Sequence, residues 1–403
     1  MEARPLRKVL IANRGEIAMR VLRACEAEGV VAATVHSDAD ASGLWVKRAR
    51  ESHRIGPAPV AQSYLNVDAI LDAAKRSGCD ALHPGYGLLS ESAAFARRVV
   101  EAGLAWIGPT PETMEAMGSK TNARAAMRAA GVPVVPGTTE AIDDLERAKS
   151  VARELGYPVM VKASSGGGGI GMELARDEAA LERAMKGVAD RARRFFGGGA
   201  VYLEKALARP RHVEVQVLGD AHGNLVHLFE RECSIQRRHQ KVVEEAPAPI
   251  ADASLRASLA ETAVRAARAA GYRNAGTVEF LLDEGGHFYF LEMNCRVQVE
   301  HPVTEAITGV DIVREQLRIA SGRALSFGQG DVRARGAAIE CRLYAEDPSK
   351  GFLPSPGPIE ELSIPEGEGI RVDAGYAAGD VVTPFYDPLL AKLVFSGRDR
   401  AEA

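Results

Sequence analysis

The sequence predicts an α/β chain whose first part holds a parallel sheet and whose C-terminal part turns α+β. Two observations carry this. Over residues 1–115 short apolar runs alternate with helical periodicities, which implies βαβ units and a parallel sheet covered on both faces. From Arg211 onward the pattern is β-rich, punctuated by two long helical stretches.

In the first unit Val9–Ala12, Val31–His36, Ala81–His83 and Ala105–Gly108 read as strands, and Glu16–Glu28 and Asp68–Lys75 as amphipathic helices. A linking segment, 116–134, ends at Gly131-Val132-Pro133. The second unit, 135–207, contains a strand at Tyr157–Lys162, a short strand at Met172–Ala175, a helix at Glu178–Val188 and a strand at Ala200–Lys205. In 208–332 the strands are His212–Leu218, Leu225–Glu230, Thr277–Leu282 and His287–Met293, with helices at Leu255–Gly271 and Val310–Ser321. A last unit, 333–403, holds the strand Ala337–Ala345. It closes on Arg398–Ala403, a helix start without a capping stop, so this unit is expected to be truncated.

Composition narrows the function classes. A formal net charge of −4 over 403 residues argues against a nucleic-acid partner. The five cysteines are scattered, with no CxxC or zinc spacing, which suits a reducing compartment. No stretch approaches the roughly 18 apolar residues of a membrane span. A cytoplasmic protein with no membrane partner is expected.

The strand at Tyr157–Lys162 runs into Lys162-Ala-Ser-Ser-Gly-Gly-Gly-Gly-Ile-Gly-Met172. Residues 166–171 satisfy G-x-G-x-x-G, but a dinucleotide site needs a helix directly after the loop. Here a strand follows, and G-x-x-x-x-G-K-[S/T] is absent. What remains is a strand–loop–strand flap, its bare backbone at Gly166, Gly167, Gly168, Gly169 and Gly171 suited to phosphate oxygens. A purely structural hairpin is the alternative, while the apolar flanks argue against a slack linker. Lys162, ending the strand, and Lys120, following Met117-Gly118-Ser119, are the cations placed to neutralise two phosphates. Alone, each would read as a surface lysine.

The segment Thr277–Asn294 reads as a β-hairpin. With Gly285-Gly286 as a two-residue turn, Glu279 lies opposite Glu292 and Thr277 opposite Asn294. The other face then carries Val278, Phe280, Leu282, Tyr289, Leu291 and Met293. Like charges directly across a ladder repel. A divalent cation removes the conflict, and carboxylates with an amide oxygen suit Mg²⁺ or Mn²⁺. A solvated edge with screened repulsion is the bland alternative. Beyond Asn294, Arg296, Gln298 and Glu300 keep period two. If the chain stays extended, one face offers a cation, an amide and a carboxylate for holding a small anion and taking its proton.

At these residues the chain resembles biotin carboxylase, the ATP-grasp component of biotin-dependent carboxylases such as acetyl-CoA and propionyl-CoA carboxylase. The resemblance runs from Val9–Ala18 to the chain end. It passes through His83-Pro-Gly-Tyr-Gly-Leu-Leu-Ser-Glu91, Arg211-His-Val-Glu214, Glu232–Lys241 and Glu292-Met-Asn-Cys-Arg-Val-Gln-Val-Glu-His-Pro302. It implies a Rossmann-like N-terminal domain, a mobile glycine-rich lid and a β-rich catalytic domain. ATP would lie between lid and sheet, contacted by Lys120, Lys162, Glu204, His212, Gln236, His239 and Leu281, with Lys205 and Leu207 near the adenine. Glu279, Glu292 and Asn294 would hold Mg²⁺. Bicarbonate would be bound by Lys241, Arg296, Gln298 and the backbone of Val299, and deprotonated by Glu300. Its oxygen would attack the γ-phosphate to give carboxyphosphate, and Arg342 would stabilise the biotin enolate. Arg237 receives no role, and Cys233, with no adjacent base, is read as pocket lining. A homodimer is implied.

Several positions depart from the family pattern. Ile170 and Glu173 stand where basic residues are usual, which puts phosphate attraction at the flap tip in doubt, and Cys295 stands where Thr or Pro is commoner. Ala184-Met185-Lys186 superficially matches a biotinylation signature but lies in a helical pattern. Biotin is therefore a carried substrate, presented by a carrier protein or domain that also serves a carboxyltransferase. The alternatives are a different ATP-grasp ligase, for instance one of carbamoyl-phosphate type, and a nucleotide-binding assembly module with impaired turnover.

Overall fold

The computed structural model describes residues 4–138, 140–164, 171–196 and 198–403. Gly166, Gly167, Gly168, Gly169 and Ile170 lie outside the described residues, so the flap expectation on them does too.

The first sheet has five parallel strands in the spatial order Glu51–Gly56, Val31–Ser37, Lys8–Ile11, Ala81–His83, Ala105–Trp106. Val9, Leu10 and Ile11 are all fully buried, because helices cover both faces of a parallel sheet. The helix Val67–Arg76 starts where the Asn66 side chain accepts the Ala69 N–H at 3.1 Å, and Ser92 opens Ala93–Glu101 on the Phe95 N–H at 3.2 Å. The sequence reading misses, among others, the polar edge strand Glu51–Gly56 (ESHRIG) and the helix Ala93–Glu101.

A second, antiparallel sheet of three strands follows, ordered Met172–Ala175, Val159–Ala163, Val201–Lys205, with helices Leu145–Leu155 and Glu178–Phe196 against it. Val159, Val161, Leu181, Ala184, Val188 and Leu203 form a hydrophobic core confined to residues 142–203. Lys186 projects from the long helix into solvent, as its helical pattern requires.

The third sheet is antiparallel and eight-stranded, in the order Phe288–Asn294, Asn274–Leu282, Arg211–Gly219, Leu225–Arg237, Gln240–Ala246, Ala337–Tyr344, Leu389–Gly397, Ile370–Ala374. It runs without a break across residue 332, since Val243 to Ala246 pair with Cys341 to Ala338. The closing strands dock back on the first unit. Gly375 packs so tightly on the Gly15-Glu16 backbone that a Cβ there would sit 2.5 Å from the Glu16 nitrogen. The wholly buried Lys392 donates to the Val299 carbonyl at 2.7 Å and pairs with Glu16 at 3.2 Å. Among the described residues no helix is long and apolar enough to cross a membrane.

The hairpin departs from expectation at its tip. The backbone N–H of Asp283 donates to the His287 carbonyl at 2.8 Å, and Gly286 takes φ +81°, so Glu284-Gly285-Gly286 is a three-residue loop. An odd loop shifts the register, but a bulge at Leu291 restores it: Phe280 pairs with Phe290, while Glu279 pairs with Glu292 and Thr277 with Asn294. The core face on the returning strand is therefore Phe288, Phe290 and Met293, in place of Tyr289 and Leu291.

His83 ends a strand of the first sheet in full burial, its Nδ1 accepting the Gly85 N–H at 2.9 Å and its Nε2 3.3 Å from Gln316. Burial pulls its imidazole down to about 4. The folded protein keeps the ring neutral, whereas the unfolded chain takes up a proton below its ordinary value of about 6.5. His83 should therefore cost about 3 kcal/mol of stability as pH falls from 6.5 towards 4. Urea denaturation at pH 7 and 4.5 checks this, and a folded His83→Gln variant should lose that part of the slope.

Candidate active site

A cleft of about 600 Å³ opens between the three-stranded unit and the eight-stranded sheet. Lys162, Gly171, Glu204, Lys205 and Leu207 line one side, and Lys120 enters from the helix Lys120–Ala129, which Ser119 caps. His212, Gln236, His239 and Lys241 come from neighbouring strands of the large sheet and their turn. The hairpin supplies Leu281, Glu279, Glu292 and Asn294, and Arg296, Gln298, Val299, Glu300 and Arg342 close the far end. Every expected site residue among those described lies on this one cleft.

The geometry is a lattice of alternating charge. Lys241 Nζ donates to Glu214 at 2.5 Å, Glu279 at 2.8 Å and Glu300 at 2.7 Å. His212 lies 3.0 Å from the second oxygen of Glu279 and 3.1 Å from Gln236. Lys120 pairs with Glu292 at 3.2 Å, and Lys162 pairs with Glu204. Arg342 bridges Glu300 at 3.1 Å and Glu244 at 2.6 Å. Burial alone would raise Glu279, but Lys241 and His212 hold it well below the usual carboxylate range. Burial likewise opposes ionisation of Glu300, and Lys241, Arg342 and Arg231 reverse it. Glu244 is the counterexample: burial and the Glu300 charge outweigh Arg342 and lift it to about 7.

After Asn294 the strand expectation fails. Residues 295–300 form an irregular turn leading into the helix His301–Thr308. The period-two residues still converge, because their side chains bond one another. Arg296 donates to Asn294 Oδ1 at 3.0 Å and to Gln298 at 2.8 Å, and Gln298 donates to Glu279 at 3.1 Å. Glu91, from the His83–Glu91 motif, meets Arg296 at 3.2 Å. The Lys205 side chain turns away to the Gly156 carbonyl at 2.6 Å, so this residue offers the cleft its backbone.

Two expectations are corrected here. Cys233 is fully buried behind the cleft, near Glu214 and Glu300, and does not line it; burial raises its thiol well above its ordinary value. Arg237 does have a place, pairing with Glu346 and lying 4.2 Å over the Phe352 ring, which fixes the turn carrying His239. The sequence reading also misses Glu214 and Glu244, which hold Lys241 and Arg342. Glu214 stood inside the Arg211–Glu214 motif, and only its buried neighbours reveal its task. An adjoining cavity of about 300 Å³ is lined by Asn13, Tyr86, Val299, Arg342 and Asp387.

The donor set fits a small divalent cation. Glu279 and Glu292 face the cleft from paired positions, Asn294 stands two pairs further along, and its buried Nδ2 has no partner among the described residues. His212, Glu214 and Glu279 also converge, but Lys241 already bonds both of those carboxylates.

Family models match almost the whole chain: biotin carboxylase N-terminal domain over 5–114, carbamoyl-phosphate synthase L chain ATP-binding domain over 119–327, and biotin carboxylase C-terminal domain over 340–403. Biotin carboxylase of Halalkalibacterium halodurans is 56% identical over 397 residues, covering 98% of this chain and 88% of that protein. Biotin carboxylase 2 of Bacillus subtilis is 54% identical over 396 residues, covering 98% and 89%. A biotin carboxylase–β-γ-ATP complex from Campylobacter jejuni superposes with a TM-score of 0.96 at 46% identity, covering 98% of this chain and 88% of that one. The biotin carboxylase domain dimer of Hydrogenobacter thermophilus 2-oxoglutarate carboxylase, with MgADP, ADP and bicarbonate, gives 0.95 at 47%, covering 98% and 87%.

A three-stranded unit facing a large antiparallel sheet across a lysine- and glutamate-lined cleft defines an ATP-grasp enzyme. Within that class the chain belongs to the biotin carboxylase family, and it is an ATP-dependent ligase.

Replacing Lys241 by Met leaves Glu214, Glu279 and Glu300 buried without their shared cation. The expected loss at pH 8 is about 3–5 kcal/mol. Part of it should return at pH 5.5, because carboxylates raised by mutual repulsion regain protons there and cease to repel. Urea midpoints of both proteins at the two pH values measure the difference.

Proposed function

We propose that the chain uses ATP and bicarbonate to carboxylate biotin presented by a carrier protein or domain, the first half-reaction of a biotin-dependent carboxylase. The observation that carries this is Glu300 held ionised between Lys241 and Arg342, beside the paired Glu279 and Glu292. Residues 1–115 would frame the site, 116–134 link, 135–207 act as lid, and 208–332 and 333–403 build the floor; the core confined to residues 142–203 supports this division.

Glu279, Glu292 and Asn294 would hold Mg²⁺, which would supply positive charge to offset that of the phosphates. Lys120 and Lys162 would release their carboxylates to take phosphate charge, with His212, Gln236, His239, Glu204, Leu207 and Leu281 shaping the rest of the nucleotide site. Lys241, Arg296, Gln298 and Val299 would hold bicarbonate against Glu300. Held between Lys241 and Arg342, Glu300 is too acidic to be a strong base. An incoming anion shares Lys241 and Arg296, weakens their hold on Glu300, and raises its basicity where a proton must be taken. The deprotonated oxygen attacks the γ-phosphate, releasing ADP and forming carboxyphosphate, which breaks down to CO₂ and phosphate. The phosphate takes the biotin N1′ proton, and Arg342 stabilises the enolate, a developing charge of the kind for which one lost donor costs about a hundredfold. The adjoining cavity beside Tyr86 and Asp387 shares Val299 and Arg342 with the main cleft, which supports a biotin site next to the intermediate. A homodimer in the cytoplasm, working with a carboxyltransferase, completes the reading.

Purified protein with Mg-ATP and labelled bicarbonate should release ADP faster when free biotin is added and should transfer label to biotin. Absence of label transfer would sink the assignment. Glu300→Gln should cut the biotin-dependent rate by at least about a hundredfold while leaving the ATP KM within a few-fold, since a general base acts on the chemical step.

A further inference from the structure

The helix Lys120–Ala129 carries Arg124, whose side chain is among the largest fully buried ones described. In the sequence KTNARAAMRA this residue resembles any solvated helix arginine. In the structure its Nη2 donates to the Val135 carbonyl at 2.7 Å, its Nε to the Thr138 carbonyl at 3.3 Å, and its Nη1 to Glu204. The Tyr202 ring lies 5.5 Å from the guanidinium. Val135 and Thr138 sit where the chain runs into the three-stranded unit; Tyr202 and Glu204 sit where it runs out.

The two crossings also hold each other. Thr138 donates to the Leu203 carbonyl at 2.9 Å, and Lys205 donates to the Pro136 carbonyl at 2.8 Å. Gly137 lies opposite Glu204, so close that a Cβ would fall 2.2 Å from the Leu203 carbonyl oxygen. One guanidinium thus gathers both crossings onto the helix whose first residue is Lys120. Glu204 is shared as well, with Arg124 on one oxygen and Lys162 on the other. Without Arg124, two buried carbonyls would lose a donor and Glu204 would turn its full charge on Lys162.

We propose that Arg124 is the positioning residue of the nucleotide lid: it fixes both hinge crossings and shares the charge of Glu204, so that Lys162 can leave that carboxylate to meet a phosphate. This rests on the reading that Lys162 and Glu204 face the nucleotide.

The test uses the whole chain with Arg124→Met and Arg124→Lys. Lysine keeps a charge within reach of Glu204 but cannot serve Glu204 and both carbonyls together. Hydrogen exchange of the Thr138, Leu203 and Lys205 amides should quicken about tenfold or more in the Met variant and less in the Lys variant. Reference amides of the parallel sheet, at Leu10 and Val35, should keep wild-type protection. MgADP affinity by calorimetry should fall about tenfold for Met with partial recovery for Lys, and the ATP KM should rise while kcat stays within about threefold. Unchanged hinge exchange in both variants would overturn the proposal. So would equal loss of protection at hinge and reference amides, even in the Lys variant. A loosened hinge with unchanged MgADP affinity would also overturn it. If the wild type binds no MgADP, the nucleotide reading fails, and the hinge assignment is then decided by exchange alone.

Discussion

The site depends on three carboxylates converging on one ammonium. Glu214, Glu279 and Glu300 come from different segments of the chain and would repel in a buried cleft, yet Lys241 lies within 2.8 Å of each. Such a cluster is not there for stability, since buried ion pairs seldom repay their desolvation. Its effect is to keep acidic groups ionised and within reach of one another in the absence of ligand. The same arrangement recurs outward, with Lys120 on Glu292 and Lys162 beside Glu204. Each cation expected to meet phosphate or bicarbonate is already paired, so binding is an exchange of partners. A divalent cation held by Glu279 and Glu292 would free their lysines and histidine for the phosphates.

The departures at the flap look different once the lid's own charges are in view. Glu173, standing where a basic residue is usual, meets Arg191 of the long lid helix at 2.8 Å. Both side chains are more than a third exposed, so the pair contributes at most about 1 kcal/mol. Its consequence is electrostatic: the acidic charge is answered inside the lid and adds little negative field towards the cleft.

Much of the fold was legible because burial writes itself as pattern. Val9–Ala12, covered on both faces, reads as a continuous apolar run, and the amphipathic helices of the first unit read at period 3.6. Glu51–Gly56 escaped because an edge strand needs no apolar face, and Leu389–Gly397 escaped because the wholly buried Lys392 interrupts its apolar pattern. The Glu279–Glu292 pairing was legible for a reason that held only in part. The loop is longer by one residue than the two-residue turn that gave the register, and the bulge at Leu291 cancels the error. Neither feature has a strong local signature, since Gly285-Gly286 suits both loops. Arg124, Glu214 and Glu244 stayed hidden for a third reason. A charged residue is read as solvated until its buried partners are known, and those lie 80, 27 and 98 positions away.

The separation of hydrophobic cores bears on how such a site closes. The residues packing the lid lie within 142–203, while the large sheet and the first unit share their own clusters. A body with its own core can rotate without repacking its neighbours, and such a rotation would concentrate at the crossings near Gly137 and Leu203. Lys241, Glu279, Glu292, Arg296, Glu300 and Arg342 all belong to the body and keep their mutual distances throughout. Lys162 lies on the lid's own sheet and would move with it, whereas Glu204 sits at the crossing that Arg124 holds. Closure would then change the nucleotide's surroundings and exclude water from a labile acyl phosphate, while the groups that make that intermediate hold still.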